Sequence, residues 1–266
     1  MRLPRLITLL ILILPITGCI LMPKPAPQLT QPETITVVTY NVLKSNPDKN
    51  ATLDLIESLD AGIVCLQETD AAWATLIRER LGAKYPHAVY ATDQWNGRKF
   101  GTATLSRYPL SNARTLLEGE TFFPNILATA DTPIGSVQIF NVHLHPCLTE
   151  KHGMGLRGYY ASRIMRRNEI QMLCAAIDPA LPTVILGDYN DFPFSPAVKR
   201  LRSQGLKSAM IERRDNAHTI RYKYMGLNLG AQIDHIIFTP PLQCVDARVI
   251  REGTSDHRPL LAVLGK

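Results

Sequence analysis

Five apolar stretches in this chain give out on, or carry, residues that are costly to bury, and that recurrence narrows the possible folds more than any other feature. In "VILGDYNDFPFSP" (184–196), Val184, Ile185 and Leu186 have the composition of a buried strand. Gly187 breaks the run, and Asp188, Asn190 and Asp191 follow at once. The pattern recurs in "VVTYNV", where Asn41 interrupts the apolar residues, and in "IVCLQET", which delivers Glu68. In "IFNVHLHP" His143 and His145 share one face, because strand side chains repeat every two residues. The last stretch is a pair, "AQIDHIIF" with Asp234 and His235, then "GTSDHRPL" with Asp256 and His257. Singly, each has an ordinary explanation: Asp and Asn make turns, a Glu caps a strand, a strand His packs in a core. Together they make sense if the strand ends meet at one edge of a sheet and line one pocket. Oxygen donors with few thiols suit Mg²⁺, Mn²⁺ or Ca²⁺ rather than zinc.

The order of elements is that of a layered α/β (α+β) protein. Residues 35–40 and 63–66 read as strands. The segments 50–60, opened by Asn50 as N-cap, and 70–81 read as helices. Strands follow at 86–91, 101–106, 112–117, 125–130 and 135–144, then a long helix at 159–177 and a strand at 183–187. A short helix starts near Ser195, with Pro196 well suited to a first helical position. The remainder is strand-rich, at 217–222, 232–238, 242–250 and 258–264. Helices at both ends of a strand-rich middle predict two packed sheets covered by helices.

The N-terminus is a separate matter. Arg2 and Arg5 precede an apolar run, Leu6 to Leu14, that is too short for a bilayer span of about 20 residues and fits the core of a secretory signal. "LPITGC" after it resembles a bacterial lipobox, which implies a signal peptide over 1–18 and lipidation of Cys19. Proline-rich residues in 19–34 then form a tether, and 35–266 a single domain. The expected destination is the cell envelope. The outer membrane is favoured if the source cell has two, since Ile20 is not the aspartate associated with inner-membrane retention. Cys65, Cys147, Cys174 and Cys244 are scattered without zinc spacing, and a Cys147–Cys244 disulfide is compatible with an exported chain. The formal charge of +6, two of it from Arg2 and Arg5, is weak support for an anionic partner. The densest basic segment, 151–167, reads first as a solvated helix face.

The ordered set Asn41, Glu68, His143, Asp188-x-Asn190, Asp234, Asp256-His257 resembles the endonuclease/exonuclease/phosphatase superfamily, the deoxyribonuclease-I-like fold, over about residues 35–264. "GTATLSRYPL" (101–110) is similar to that family's strand and turn between the Glu and His motifs. The resemblance implies a four-layer α/β/β/α sandwich and a phosphodiester hydrolase that uses Mg²⁺, with Mn²⁺ or Ca²⁺ as alternatives. It implies metal-side roles for Glu68, Asn41 and Asp256. It implies that Asp188 and Asn190 position the nucleophile and a phosphate oxygen. It implies that His257, oriented by Asp234, contacts the phosphate or activates water, and that His143 stabilises charge or assists the leaving group. The acid that partners the first histidine in some relatives is not evident, with Asp93 a weak candidate.

Within that family, "VILGDYN" and "QIDHIIF" disfavour the inositol phosphatase branch. A monomeric nuclease or general phosphodiesterase is favoured, with 151–167 available to contact a nucleic-acid backbone. A sphingomyelinase-like phospholipase is the alternative, for which "GETFFPN" (119–125) would be the exposed apolar loop. The third reading is a catalytically silent surface binding module, which would have no need to keep Glu68, Asp188, Asn190, Asp256 and His257 together.

Overall fold

The computed structural model describes residues 24–266 except 96–97, 117–118, 150, 152, 155 and 225–226. Its first half runs β1 (Thr34–Asn41), α1 (Lys49–Ser58), β2 (Ile63–Thr69), α2 (Ala71–Leu81), β3 (His87–Trp95), β4 (Arg98–Ser106), β5 (Leu110–Leu116), β6 (Asn125–Thr132) and β7 (Gly135–His143). The two-residue strands β8 (Leu148–Thr149) and β9 (Gly153–Met154) lead into α3 (Leu156–Ala175) and β10 (Thr183–Asp188). Then come α4 (Pro196–Ser203), β11 (Lys207–Ser208), α5 (Ala209–Arg213), β12 (Ile220–Tyr224), β13 (Leu227–Ala231), β14 (Asp234–Phe238), β15 (Gln243–Val249) and β16 (Leu260–Gly265).

Two six-stranded mixed sheets stack face to face, in the orders β15-β16-β1-β2-β4-β3 and β11-β14-β10-β7-β6-β5. In each, a pair of central strands is parallel, β1 with β2 and β10 with β7. Alternation along the strands assigns every side chain to a layer. Ile35, Val37, Ile63 and Cys65 of the first sheet meet Val137, Ile139, Val184, Leu186, Ile236 and Phe238 of the second. The opposite faces pack on helices: Val38, Tyr40 and Leu66 against α1 and α2, and Phe140, Val142 and Ile185 against α3 and α4. The result is the expected α/β/β/α sandwich.

The inward stripe changes character along its length. Beyond the apolar positions, Gln67 Nε2 donates to Asn141 Oδ1 (2.8 Å) and to Thr39 Oγ1 (3.1 Å), while Asn141 Nδ2 donates to Ala103 O (2.9 Å). These buried amides bridge the sheets with their polar atoms satisfied. One step further on the same faces stand Asn41, His143 and Asp188, and β14 contributes Asp234 at its first position.

Several sequence expectations are adjusted. Asp48, not Asn50, caps α1, because its carboxylate accepts from Ala51 N at 2.9 Å and so holds the first turn. The long helix begins at Leu156, three residues early. The strand expected at 217–222 begins at Ile220 and pairs with β13, a short Gly-containing strand that periodicity did not reveal. No Cys147–Cys244 disulfide forms: both thiols are free. Cys147 follows β7, with its Sγ 3.1 Å from Asn190 O, whereas Cys244 pairs across from Leu264 at the other end of the first sheet.

Gly187 shows how tightly β10 meets β7: a Cβ there would lie 1.8 Å from Val142 O. Gly187→Ala should therefore destabilise the protein by about 3 kcal/mol, the upper end of overpacking costs. Urea unfolding followed by far-UV circular dichroism checks this, with near-unchanged stability as the contrary result.

Candidate active site

Asn41, Glu68, His143, Asp188, Asp234 and His257 meet at the strand ends, each for a local reason. Asn41 is the last inward position of β1, and its Nδ2 donates both to Glu68 Oε1 and to Asp188 Oδ2, each at 3.0 Å. Its Oδ1 accepts from Leu43 N at 3.1 Å, which turns the following loop. Glu68 would point to the helix side if β2 alternated regularly. A β-bulge between Gln67 and Thr69, with Glu68 at φ +58°, rotates the carboxylate toward the pocket instead. Lys44 N approaches its second oxygen at 3.4 Å.

Asp188 sits at the centre and is buried. Register places it beside His143 of β7 and Asp234 of β14. His143 Nε2 lies 3.5 Å from Asp188 Oδ2 and His257 Nε2 lies 3.6 Å from it, while Asn190 N donates to Oδ1 at 2.8 Å. Burial raises the Asp188 pKa against the opposing pull of His257 and His143. His257 Nδ1 is 2.9 Å from Asp234 Oδ2 and 3.1 Å from Oδ1. Burial drags on the His257 imidazolium, yet the Asp234 and Asp188 charges and the Asp234 hydrogen bond outweigh it and lift the pKa to about 10. His143 goes the other way: burial lowers it to about 4 despite Asp188. One imidazole is therefore cationic and the other neutral at pH 7, both facing one carboxylate oxygen. Phe123 stacks flat on His143, with centroids 3.5 Å apart and planes 8° apart, and Asn125 Oδ1 accepts from His143 N at 2.9 Å.

The remaining candidates divide. Asn190, in the left-handed region at φ +48°, uses Nδ2 to hold Leu144 O at 3.0 Å, pinning its loop to the end of β7. Asp256 is exposed at the rim, where its Oδ1 lies 3.2 Å from Ser255 Oγ. His145 and His235 are turned away. His145 Nδ1 meets Pro146 O at 2.9 Å, and buried His235 meets Asp191 O at 2.8 Å through Nε2. The side chain of Asp93 lies outside the described residues.

Supporting residues escaped the sequence reading. Ser255 Oγ is 2.8 Å from Asn41 O and receives His257 N at 3.2 Å, joining the 253–257 turn to β1. Thr219 Oγ1 accepts from Ile233 N and Asp234 N, both at 3.0 Å, and so fixes the start of β14. Arg166 is not on a solvated face, as expected from 151–167, but fully buried, with Nε 3.3 Å from Asp191 Oδ2. Its Nη1 donates to Ser162 Oγ at 2.8 Å, and Tyr159 Oη donates to Asp191 Oδ1 at 2.7 Å. That ion pair clamps the Asn190 loop to α3. A lone Arg in a basic run gives no sign of such a role.

As for a cation, ligand atoms of Asp188, Asp234 and His257 lie within 4.8 Å of one another. His257 Nδ1 is committed to Asp234, however, so that trio is already satisfied as a hydrogen-bonded ion pair. On the other side of Asp188, its carboxylate and that of Glu68 both accept from Asn41 Nδ2, so two carboxylates stand close enough together to offer oxygens to a hard divalent ion.

Comparison with known proteins shows the family and the fold. The model of the endonuclease/exonuclease/phosphatase family matches residues 38–257. Among solved structures, an endonuclease/exonuclease/phosphatase from Beutenbergia cavernae superposes with a TM-score of 0.68 at 19% identity, over 87% of this chain and 71% of that one. D. rerio TDP2, humanized by 14 mutations, gives 0.67 at 14% identity over 88% and 99%. The human Nocturnin catalytic domain with bound sulfate gives 0.65 at 17% identity over 90% and 95%. No curated protein matches in sequence. With a family match over most of its length, the fold of that family and its motif residues gathered at one edge, this chain belongs to the endonuclease/exonuclease/phosphatase family.

Proposed function

We propose that the protein is a divalent-metal-dependent phosphodiester hydrolase of the cell envelope, acting as a nuclease or general phosphodiesterase. The observation that carries this reading is the continuous chain Asp234–His257–Asp188–Asn41–Glu68, in which an imidazole and an amide link two further acids to one buried carboxylate. Glu68 and Asn41, with Asp256 at the rim, would hold Mg²⁺, Mn²⁺ or Ca²⁺. When bound, the cation supplies positive charge opposite the developing phosphate oxygens.

The protein groups divide the rest of the chemistry. Asp188 accepts a proton from the attacking water, a role its burial-raised pKa suits, while Asn190 holds its backbone and the adjoining loop in place. His257, held cationic by Asp234, donates to a non-bridging phosphate oxygen rather than serving as a base. His143, neutral and pressed against Phe123, offers a second donor. The phospholipase alternative loses its sequence support, because Phe123 of "GETFFPN" is buried on His143 and Phe122 is half-buried beside it. A silent binding module would not require the opposed protonation of the two histidines.

Envelope anchoring through Cys19 is supported by "LPITGC" and by the proline-rich segment after it. No helix among the described residues is long and apolar enough to cross a membrane. Mass spectrometry of the mature N-terminus is expected to find acylated Cys19, and an unmodified terminus elsewhere would refute the anchor.

Hydrolysis of oligonucleotides, sphingomyelin and bis-(p-nitrophenyl) phosphate, each with Mg²⁺, Mn²⁺, Ca²⁺ or chelator, tests the activity. Nucleic acid should be cleaved best, and chelator should abolish turnover. Within that assay His257→Ala and Asp234→Asn should each lower kcat by a factor on the order of 10² or more. The double variant should be little worse than the poorer single, since the pair acts as one unit. Because His257 must be protonated, wild-type turnover should fall as pH rises toward about 10. Losing the Asp234 charge lowers that pKa, so Asp234→Asn should move the alkaline limb to lower pH. His235→Ala should spare kcat per folded molecule; multiplicative losses in the double variant would break the dyad.

A further inference from the structure

Where the Asp188–Asn190 loop leaves the pocket, the surface becomes aromatic and cationic. Phe192 is exposed, and Phe194 is 65% exposed. Phe192 meets Tyr159 of α3 edge-on at 5.2 Å between centroids, and Tyr159 meets Tyr160 at 5.4 Å. Tyr160 is itself 61% exposed, with the Arg163 guanidinium 5.6 Å over its ring. Arg157, Tyr160, Ile164 and Arg167 follow at i, i+3, i+7 and i+10, one exposed stripe of α3. Next to it α4 exposes Lys199, Arg200 and Arg202. Within the two helices the single carboxylate, Glu169, is buried, so the exposed charges these helices themselves carry are all cationic. Exposed rings on the loop that follows Asp188, set among arginines that have no carboxylate partner among the described residues, mark an interaction surface.

We propose that this face is a track for single-stranded nucleic acid leading into the pocket. The arginines meet successive phosphates, and unstacked bases lie on Phe192, Phe194 and Tyr160. The inference rests on the phosphodiesterase reading and names its substrate class. A duplex would engage the cations but leave the rings idle, because its bases already stack on one another.

A lipid surface is disfavoured by the other end of the molecule. Arg213 Nη1 donates to Pro25 O at 3.1 Å and Thr30 N to Lys266 O at 2.7 Å, so the segment before β1 is laid down where β1 begins. The pocket is at the opposite end of that strand. From Cys19 to Lys24 the chain can reach no more than ~18 Å, less than the ~26 Å run of β1. An anchor at Cys19 would thus hold the end of the sandwich that carries Asp188, and the Phe192–Phe194 loop after it, away from its own bilayer.

The test is fluorescence anisotropy of the full chain with labelled oligothymidylate, in chelator so that nothing is cleaved. Tyr160→Ser and Phe194→Ser should each weaken binding about fivefold or more. Replacing Arg157, Arg163 and Arg167 together with Gln should flatten the slope of log affinity against log salt by about 2. All these variants should keep wild-type turnover on bis-(p-nitrophenyl) phosphate. Unchanged oligonucleotide affinity in the ring variants would overturn the proposal, as would a preference for duplex. So would loss of adsorption to phosphatidylglycerol vesicles with oligonucleotide binding intact. Ring-dependent binding by a chain that hydrolyses no phosphodiester would support the track and overturn the hydrolase reading, so the two failures are distinguishable.

Discussion

A carboxylate buried between two sheets governs this molecule. Removing Asp188 from water costs on the order of several kcal/mol unless neighbouring groups compensate. The compensation here comes from three directions: the Asn41 amide, the Asn190 backbone N–H and the two imidazoles. Each compensating group needs its own support. Asp234 holds His257, Ser255 ties that turn to β1, and the Arg166–Asp191 pair fixes the loop bearing Asn190. The site is therefore a polar extension of the core, not a set of surface residues above it.

The sandwich explains how so polar a cluster is tolerated. The inter-sheet layer passes from aliphatic side chains to the Thr39–Gln67–Asn141 bridge and only then to ionisable groups. A graded transition keeps the acids within reach of solvent at one end while the sheets stay tightly packed at the other. It also separates the two ends of the molecule: the chain enters at one and carries its chemistry at the other.

Much of this was legible in the sequence because β alternation is a strict rule. His143 following Ile139 by four residues, and Asp188 following Val184 by four, mark both as inward-facing once those strands are recognised. Glu68 obeys no such rule. It reaches the pocket only through a bulge, and the residue pattern of "IVCLQET" does not announce one. The opposed protonation of His143 and His257 was equally hidden, since it depends on which carboxylate each ring meets across strands distant in sequence. Buried Arg166 is the sharpest departure: charge counting placed it in solvent, but its partner Asp191 lies beyond the intervening strand β10. Phe123 reverses the same way, from a candidate insertion loop to a platform for His143.

The central claim is a division of the pocket around Asp188, with a cation on the Glu68–Asn41 side and a proton on the His257–Asp234 side. Titration of Mn²⁺ into the full chain, with free ion followed by electron paramagnetic resonance, tests it most directly. The account predicts that Glu68→Gln weakens Mn²⁺ binding by about tenfold or more, as losing a carboxylate ligand should, while Asp234→Asn leaves it near wild type. Retained affinity in Glu68→Gln, or loss of binding in Asp234→Asn instead, would contradict it.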